Sequence, residues 1–190
     1  MQQAYLDDVK KQFSYYKNLG EKAMSQLPEE KLFWQFNEES NSIATIVKHL
    51  RGNMLSRWTD LLSSDGEKQW RNRDAEFIND MRNKEELMNY WNQGWKCLFD
   101  ALDTLTTADL GKEIFIRNMG QTVMEAINRQ MTHYAYHIGQ IVFIAKMVCD
   151  TNWNSLTIPK GTSAEYNVTK FEKPRHTENF MDKYSKNEKK

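Results

Sequence analysis

The 190-residue sequence has only two cysteines, Cys97 and Cys149, and only three prolines. Two thiols 52 positions apart form neither a CxxC pair nor a disulfide ladder. That excludes a disulfide-stapled secreted scaffold and predicts reduced thiols in a cytoplasmic protein. Scarce proline permits long uninterrupted helices. No segment approaches the ~18 apolar residues that span a bilayer. The apolar run 141–145 stops at Lys146, and mean hydropathy is −0.79, so no membrane role is expected. The first 13 residues include Asp7, Asp8, Lys10 and Lys11 without an apolar stretch, which predicts no signal peptide. Excess charge of either sign is also missing. Lys plus Arg and Asp plus Glu both number 26. Nucleic-acid binding through counterion release needs a basic excess, so no nucleic-acid partner is expected.

What is present is helical periodicity, which predicts an all-α protein. Tyr5, Val9, Phe13, Tyr16, Leu19, Ala23 and Leu27 recur every three or four residues before Pro28. A second stripe follows the polar run 40–42: Ile43, Ile46, Val47, Leu50, Met54, Trp58 and Leu61. A third starts at Asn83, with Glu86 three residues on, and runs through Leu87, Trp91, Trp95, Leu98, Leu102 and Leu105. A fourth opens on the capping box Thr122–Glu125 and runs through Ile127, Met131, Tyr134, Ile138, Ile141, Ala145 and Val148. The connection 64–82 is long and charged, and 113–117 alternates like a short extended piece. These features divide the chain into a helical domain at 1–150, an extended segment packed on it at 151–170, and a polar mobile tail at 171–190. Cys97 and Cys149 fall on helices and read as core fillers. The Trp-rich third helix reads as core, with a partner subunit as the other possibility.

His133 and His137 are four residues apart on the fourth helix and stack on one face. Two imidazoles one turn apart can grip one metal ion, although this spacing is commoner among surface or half-buried histidines. The residues between them lack Glu, so this is not a metalloprotease HExxH. The pair borders the apolar stripe, where unpartnered ring nitrogens would cost on the order of 1–3 kcal/mol each. His49, beside Ile46 and Leu50, is either a satisfied edge histidine or a third ligand from a facing helix. His176, in the polar tail, is set aside.

The stretch Ser-Ile-Ala-x-x-x-x-His-Leu at 42–50, with His-x-x-x-His-x-Gly-Gln at 133–140, resembles the DinB-like family of metal-dependent four-helix-bundle proteins. Further stretches at 52–58, 65–68, 71–74 and 158–161 resemble a branch found in Bacillus-type bacteria. The resemblance covers residues 5–167. It implies a four-helix bundle of up-down-down-up topology, with 64–82 as the long crossover between helices 2 and 3. It implies a divalent ion, nickel or zinc, on His49, His133 and His137, and a homodimer. Characterised members of the wider family include bacillithiol S-transferases and mycothiol-dependent isomerases.

Three imidazoles leave open positions on an ion, the pattern of a catalytic centre rather than a closed structural one. The expected function is therefore a metal-dependent enzyme with a small-molecule substrate. A low-molecular-weight thiol S-transferase in detoxification or stress response leads, with a hydrolase as the other enzymatic option. The alternative is a non-catalytic, metal-containing interaction and dimerisation module. Asn53 and Arg57 lie one and two turns beyond His49. They are candidate substrate-binding residues, with Arg71 and Arg73 in the crossover. The rival for Arg57 is a surface salt bridge, and for the crossover a self-paired charged loop. Gln130 and Gln140 are candidates to support the histidines. Gly139 is expected to permit close helix packing. No motif places a catalytic base.

Overall fold

The computed structural model describes residues 2–182. It is mostly helical, with one small antiparallel sheet. Four long helices enclose the core: α1 (Gln2–Met24), α2 (Ile43–Trp58), α3 (Lys84–Thr104) and α4 (Val123–Cys149). Their starts are the ones the sequence marks. Ser42 Oγ accepts from the Thr45 N–H at 3.1 Å, and Asn83 Oδ1 accepts from Glu86 N–H at 2.9 Å. Thr122 and Glu125 form the reciprocal capping box. Each satisfies helix donors that lack a partner within the helix, worth about 1 kcal/mol. α2 stops at Trp58, earlier than a stripe reaching Leu61 predicts. The chain turns out at Asp60, whose φ is 50°.

α2 lies along α3 and α1 along α4, while α2 also meets α4 and α1 meets α3. The rings of Phe13, Trp58, Trp95 and Tyr134, one or more from each helix, meet at the centre with centroids 5.8–6.5 Å apart. Full burial of a large apolar side chain contributes roughly 1.5–3 kcal/mol, so this cluster anchors all four helices. Trp58 Nε1–H donates to Tyr134 Oη at 2.9 Å, and Tyr134 donates to Asn53 Oδ1 at 3.0 Å. That chain of bonds fixes one face of α2 against α4.

The expected extended piece is β1 (Glu113–Ile116), paired with β2 (Met119–Thr122), a strand the sequence did not signal. Arg117 and Asn118, with φ of 55° and 59°, make the two-residue turn, a type I′ geometry suited to hairpin twist. Asp65 accepts from both turn N–H groups, at 2.9 and 2.8 Å, and Gly66 N–H donates to Phe115 O at 2.8 Å. The connection 64–82 is thereby pinned to the hairpin. Ser56 Oγ on α2 donates to Gly66 O at 2.7 Å and accepts from Lys68 N–H at 3.1 Å. The crossover is a folded cover on α2, closed by a 3-10 turn at Asp74–Phe77.

The segment 151–170 departs from the extended form expected of it. A helix, α5 (Ser163–Phe171), occupies its second half. No proline or glycine interrupts it, Glu165 sits in its first turn and Lys170 in its last, both favourable to the helix dipole. Only the part before it touches the core, through Trp153, Leu156 and the Gln26–Asn154 hydrogen bonds. Within the expected tail, Asn179 Nδ2 donates to Asp8 at 3.2 Å, Asp182 pairs with Lys11 at 2.8 Å and Phe180 meets Tyr15. The remaining tail residues, 183–190, lie outside the described ones. Gly139 permits no close approach, since no atom lies within 4 Å of where its Cβ would stand. Among the described residues, no helix is long and apolar enough to cross a membrane.

Candidate metal centre

α2 delivers His49 and α4 delivers His133 and His137 to one point. Their candidate ligand atoms lie within 4.8 Å of one another, an arrangement that can hold one metal ion. His133 Nε2 stands 3.4 Å from His49 Nε2 and 3.1 Å from His137 Nε2. Two nitrogens bound to a tetrahedral zinc at ~2.0–2.1 Å are about 3.3 Å apart, so both separations match that edge.

The hydrogen-bond accounting also fits a cation. Glu76 Oε2 lies 2.9 Å from His49 Nδ1, and Gln140 Oε1 lies 2.8 Å from His137 Nδ1. Both partners are acceptors, so each Nδ1 carries the proton. In neutral rings the Nε2 lone pairs of His49 and His137 then face His133. One N–H on His133 can satisfy only one of them, whereas a metal ion accepts all three nitrogens. Burial first, then the facing His137 and His49 rings, pushes His133 down to about 3. Burial, with His49 adding to it, pushes His137 down to about 4. Both rings are therefore neutral at neutral pH, the form a metal needs.

One residue the sequence did not single out is Glu76. It is 6% exposed and receives Arg71 in bidentate fashion, Nε to Oε1 at 2.7 Å and Nη2 to Oε2 at 2.9 Å. Burial alone would raise its pKa, but the His49 and Arg71 hydrogen bonds hold it below the ordinary carboxylate range. The result is an Arg–carboxylate–histidine relay that fixes the His49 tautomer. Phe77 stacks on the other side of His49, centroids 4.9 Å apart. Gly52, one turn past His49, makes room for this. A Cβ there would stand 2.1 Å from Glu76 Oε1. A glycine inside a helix costs about 0.5–1 kcal/mol relative to alanine. Its place beside a candidate ligand was the one signal in the sequence that something packs against α2 there.

The other candidates divide. Gln140 stands against His137 as expected of a supporting group. Gln130 contacts neither ring by a hydrogen bond; it is buried on the cavity wall with Oε1 unpartnered. Asn53 uses Oδ1 for Tyr134, which leaves its amide N–H groups for the cavity it lines. Arg57 is not a surface residue. It is 7% exposed, and its Nη1 bonds Gly66 O and Glu67, while its Nε has no partner. Arg71 is buried and committed to Glu76 and Glu67, closing the loop on itself. Arg73 lies over Phe77 at 5.1 Å. Arg117 and Arg129 were not foreseen, but they join these residues around a cavity of about 660 Å³ in front of the three histidines. Cys97 hydrogen-bonds near Thr59 and Met54, with its thiol pushed up by burial, and neither cysteine lines this cavity.

Fold and site define a predominantly helical protein with a three-histidine cluster able to hold a metal ion at the floor of an open cavity. The chain belongs to the family described as Protein of unknown function (DUF1572), whose model matches residues 1–162. No curated protein matches it.

Proposed function

We propose that the chain is a metal-dependent enzyme of the DinB-like type, with nickel or zinc on His49, His133 and His137. The observation that carries the reading is the convergence of three imidazoles from two helices beside a cavity of about 660 Å³. On this reading the four long helices form the up-down-down-up bundle, and the crossover is its long connection. An ion with three protein ligands supplies Lewis acidity at its open positions, where water or a thiol loses its proton more readily. The chain's own residues do the rest. Glu76 and Gln140 hold two rings in the right tautomer. Asn53 offers N–H donors to a bound molecule, and Phe77 with the crossover shields His49 from water. The reaction we assign is transfer of a low-molecular-weight thiol, such as bacillithiol, to an electrophile, a detoxification or stress-response step in the cytoplasm. The test is a panel of electrophiles incubated with nickel- or zinc-loaded protein, with and without the thiol. Electrophile consumption that requires both thiol and metal is expected, and consumption indifferent to thiol overturns the assignment.

A second reading, a non-catalytic metal-containing dimerisation module, has one observation in its favour. Tyr136, Phe143 and Met147 are exposed along one face of α4, beside exposed Phe36. Sedimentation of wild type and Phe143→Asp distinguishes the two. A dimer dissolved by the substitution, together with no thiol chemistry, favours the module.

A further inference from the structure

We infer that the cavity in front of the histidines is built for an anionic small molecule, one carrying a carboxylate or phosphoryl group. This rests on the enzymatic reading of the same cavity and names the chemical class of its substrate. Five arginines line the space: Arg57, Arg71, Arg73, Arg117 and Arg129. No aspartate or glutamate lines it with them. Two carboxylates stand behind the wall. Glu76 is taken by Arg71 and His49. Glu67 Oε2 is shared by Arg57, Arg71 and Arg117, at 3.0, 3.3 and 3.2 Å. Five guanidinium groups against two carboxylates leave three positive charges over. Arg73 and Arg129 have no ion pair among the described residues.

The arginines come from separate elements. Arg57 is on α2, Arg71 and Arg73 on the crossover, Arg117 at the hairpin turn and Arg129 on α4. Nothing in helix periodicity or turn geometry requires them to meet. Convergence of uncompensated like charge opposes folding, and it persists where a ligand of opposite sign relieves it. A second, independent observation points the same way. Arg57 Nε and Gln130 Oε1 are buried without hydrogen-bond partners, and both residues line the cavity. Unmet buried polar atoms cost about 1–3 kcal/mol each, which a ligand with an acid group and a hydroxyl or amide donor would recover. Guanidinium is suited to the acid group because its fork matches carboxylate and phosphate oxygens.

The test is isothermal titration of the full chain, as purified and after chelation, with succinate, inorganic phosphate and neutral succinamide. Saturable binding of succinate or phosphate, but not of succinamide, is expected. Preference for succinate assigns a carboxylate, and preference for phosphate a phosphoryl group. The double variant Arg73→Gln/Arg129→Gln, at two exposed positions, is expected to weaken binding at least tenfold without unfolding the chain. Anion binding without any metal uptake would defeat the metal reading and leave this inference standing. Metal uptake without anion binding, equal binding of succinamide, or an unchanged double variant overturns it.

Discussion

The two walls of the site are made by opposite means. α4 supplies His133 and His137 from adjacent turns and supports His137 with Gln140, a neutral amide three residues further on. The opposing wall supplies one ring, His49, and holds it with Glu76, a charged group 27 positions away that is itself held by Arg71. The first wall is a property of one helix. The second exists only because Asp65 and Gly66 tie the crossover to the hairpin and Gly52 leaves space for Glu76. A candidate metal site can thus draw its histidines from a rigid local element and from a long-range assembly, and the two halves should fail differently.

The largest effect is expected from the rings themselves. His133→Ala removes the nitrogen that lies between the other two, and His49→Ala removes the whole contribution of α2. Either is expected to abolish stoichiometric nickel or zinc binding, read by elemental analysis. Retention of a full equivalent in either variant would break the comparison at its root. Next is the crossover wall. Glu76→Gln keeps the volume but removes the carboxylate charge beside His49 Nδ1, and loss of such a support typically costs ~10–100-fold in metal affinity. Gly52→Ala should act in the same direction by displacing Glu76. Overpacking costs about 1–3 kcal/mol, against a gain of about 1 kcal/mol in helix propensity. Chelator competition for affinity and thermal melting for stability measure both.

The histidines also make stability depend on pH. His133 and His137 titrate near 3 and 4 in the folded chain and near 6.5 when unperturbed. Between about 6.5 and 4 the unfolded chain therefore binds protons that the folded chain does not, so stability is complete above that window and falls as pH falls through it. Thermal melting of chelated protein should show the decline, and the double variant His133→Ala/His137→Ala should flatten it. A wild-type melting temperature constant across the window would contradict the burial of these rings. The smallest effect is expected at Gln140. Gln140→Ala removes a neutral partner from a ring that neighbouring turns of α4 already position, so metal affinity should drop by less than Glu76→Gln lowers it. A larger loss would reverse the ranking of the two walls.

The contrast between walls is also the contrast between what could and could not be read in advance. Helix starts at Ser42, Asn83 and Thr122 are local chemistry, with donor and acceptor three residues apart, and the sequence displays them. His133 and His137 are likewise a one-turn relation. His49 is legible as the remaining histidine beside an apolar helical stripe, but the choice of third ligand over satisfied edge histidine came from the resemblance at 42–50. Glu76 could not be read from its own surroundings, and Gly52 signals only that something packs against α2 there; the environment of Glu76 is made by α2, Arg71 and the hairpin. Arg57 illustrates the same limit. Its helix position pointed at the cavity, while Gly66 and Glu67, which take its Nη1, belong to a loop whose path depends on Asp65. Helix α5 escaped because it is short and buries none of its nine residues, so packing against the core left no mark on it in the sequence.

The most direct test of the account is metal content and affinity measured together on wild type, His49→Ala and Glu76→Gln, by elemental analysis and chelator competition. The account predicts about one ion per chain in wild type, none in His49→Ala, and an ion held ~10–100-fold more weakly in Glu76→Gln. A wild type that takes up neither nickel nor zinc, or a His49→Ala variant that binds as wild type does, would contradict it.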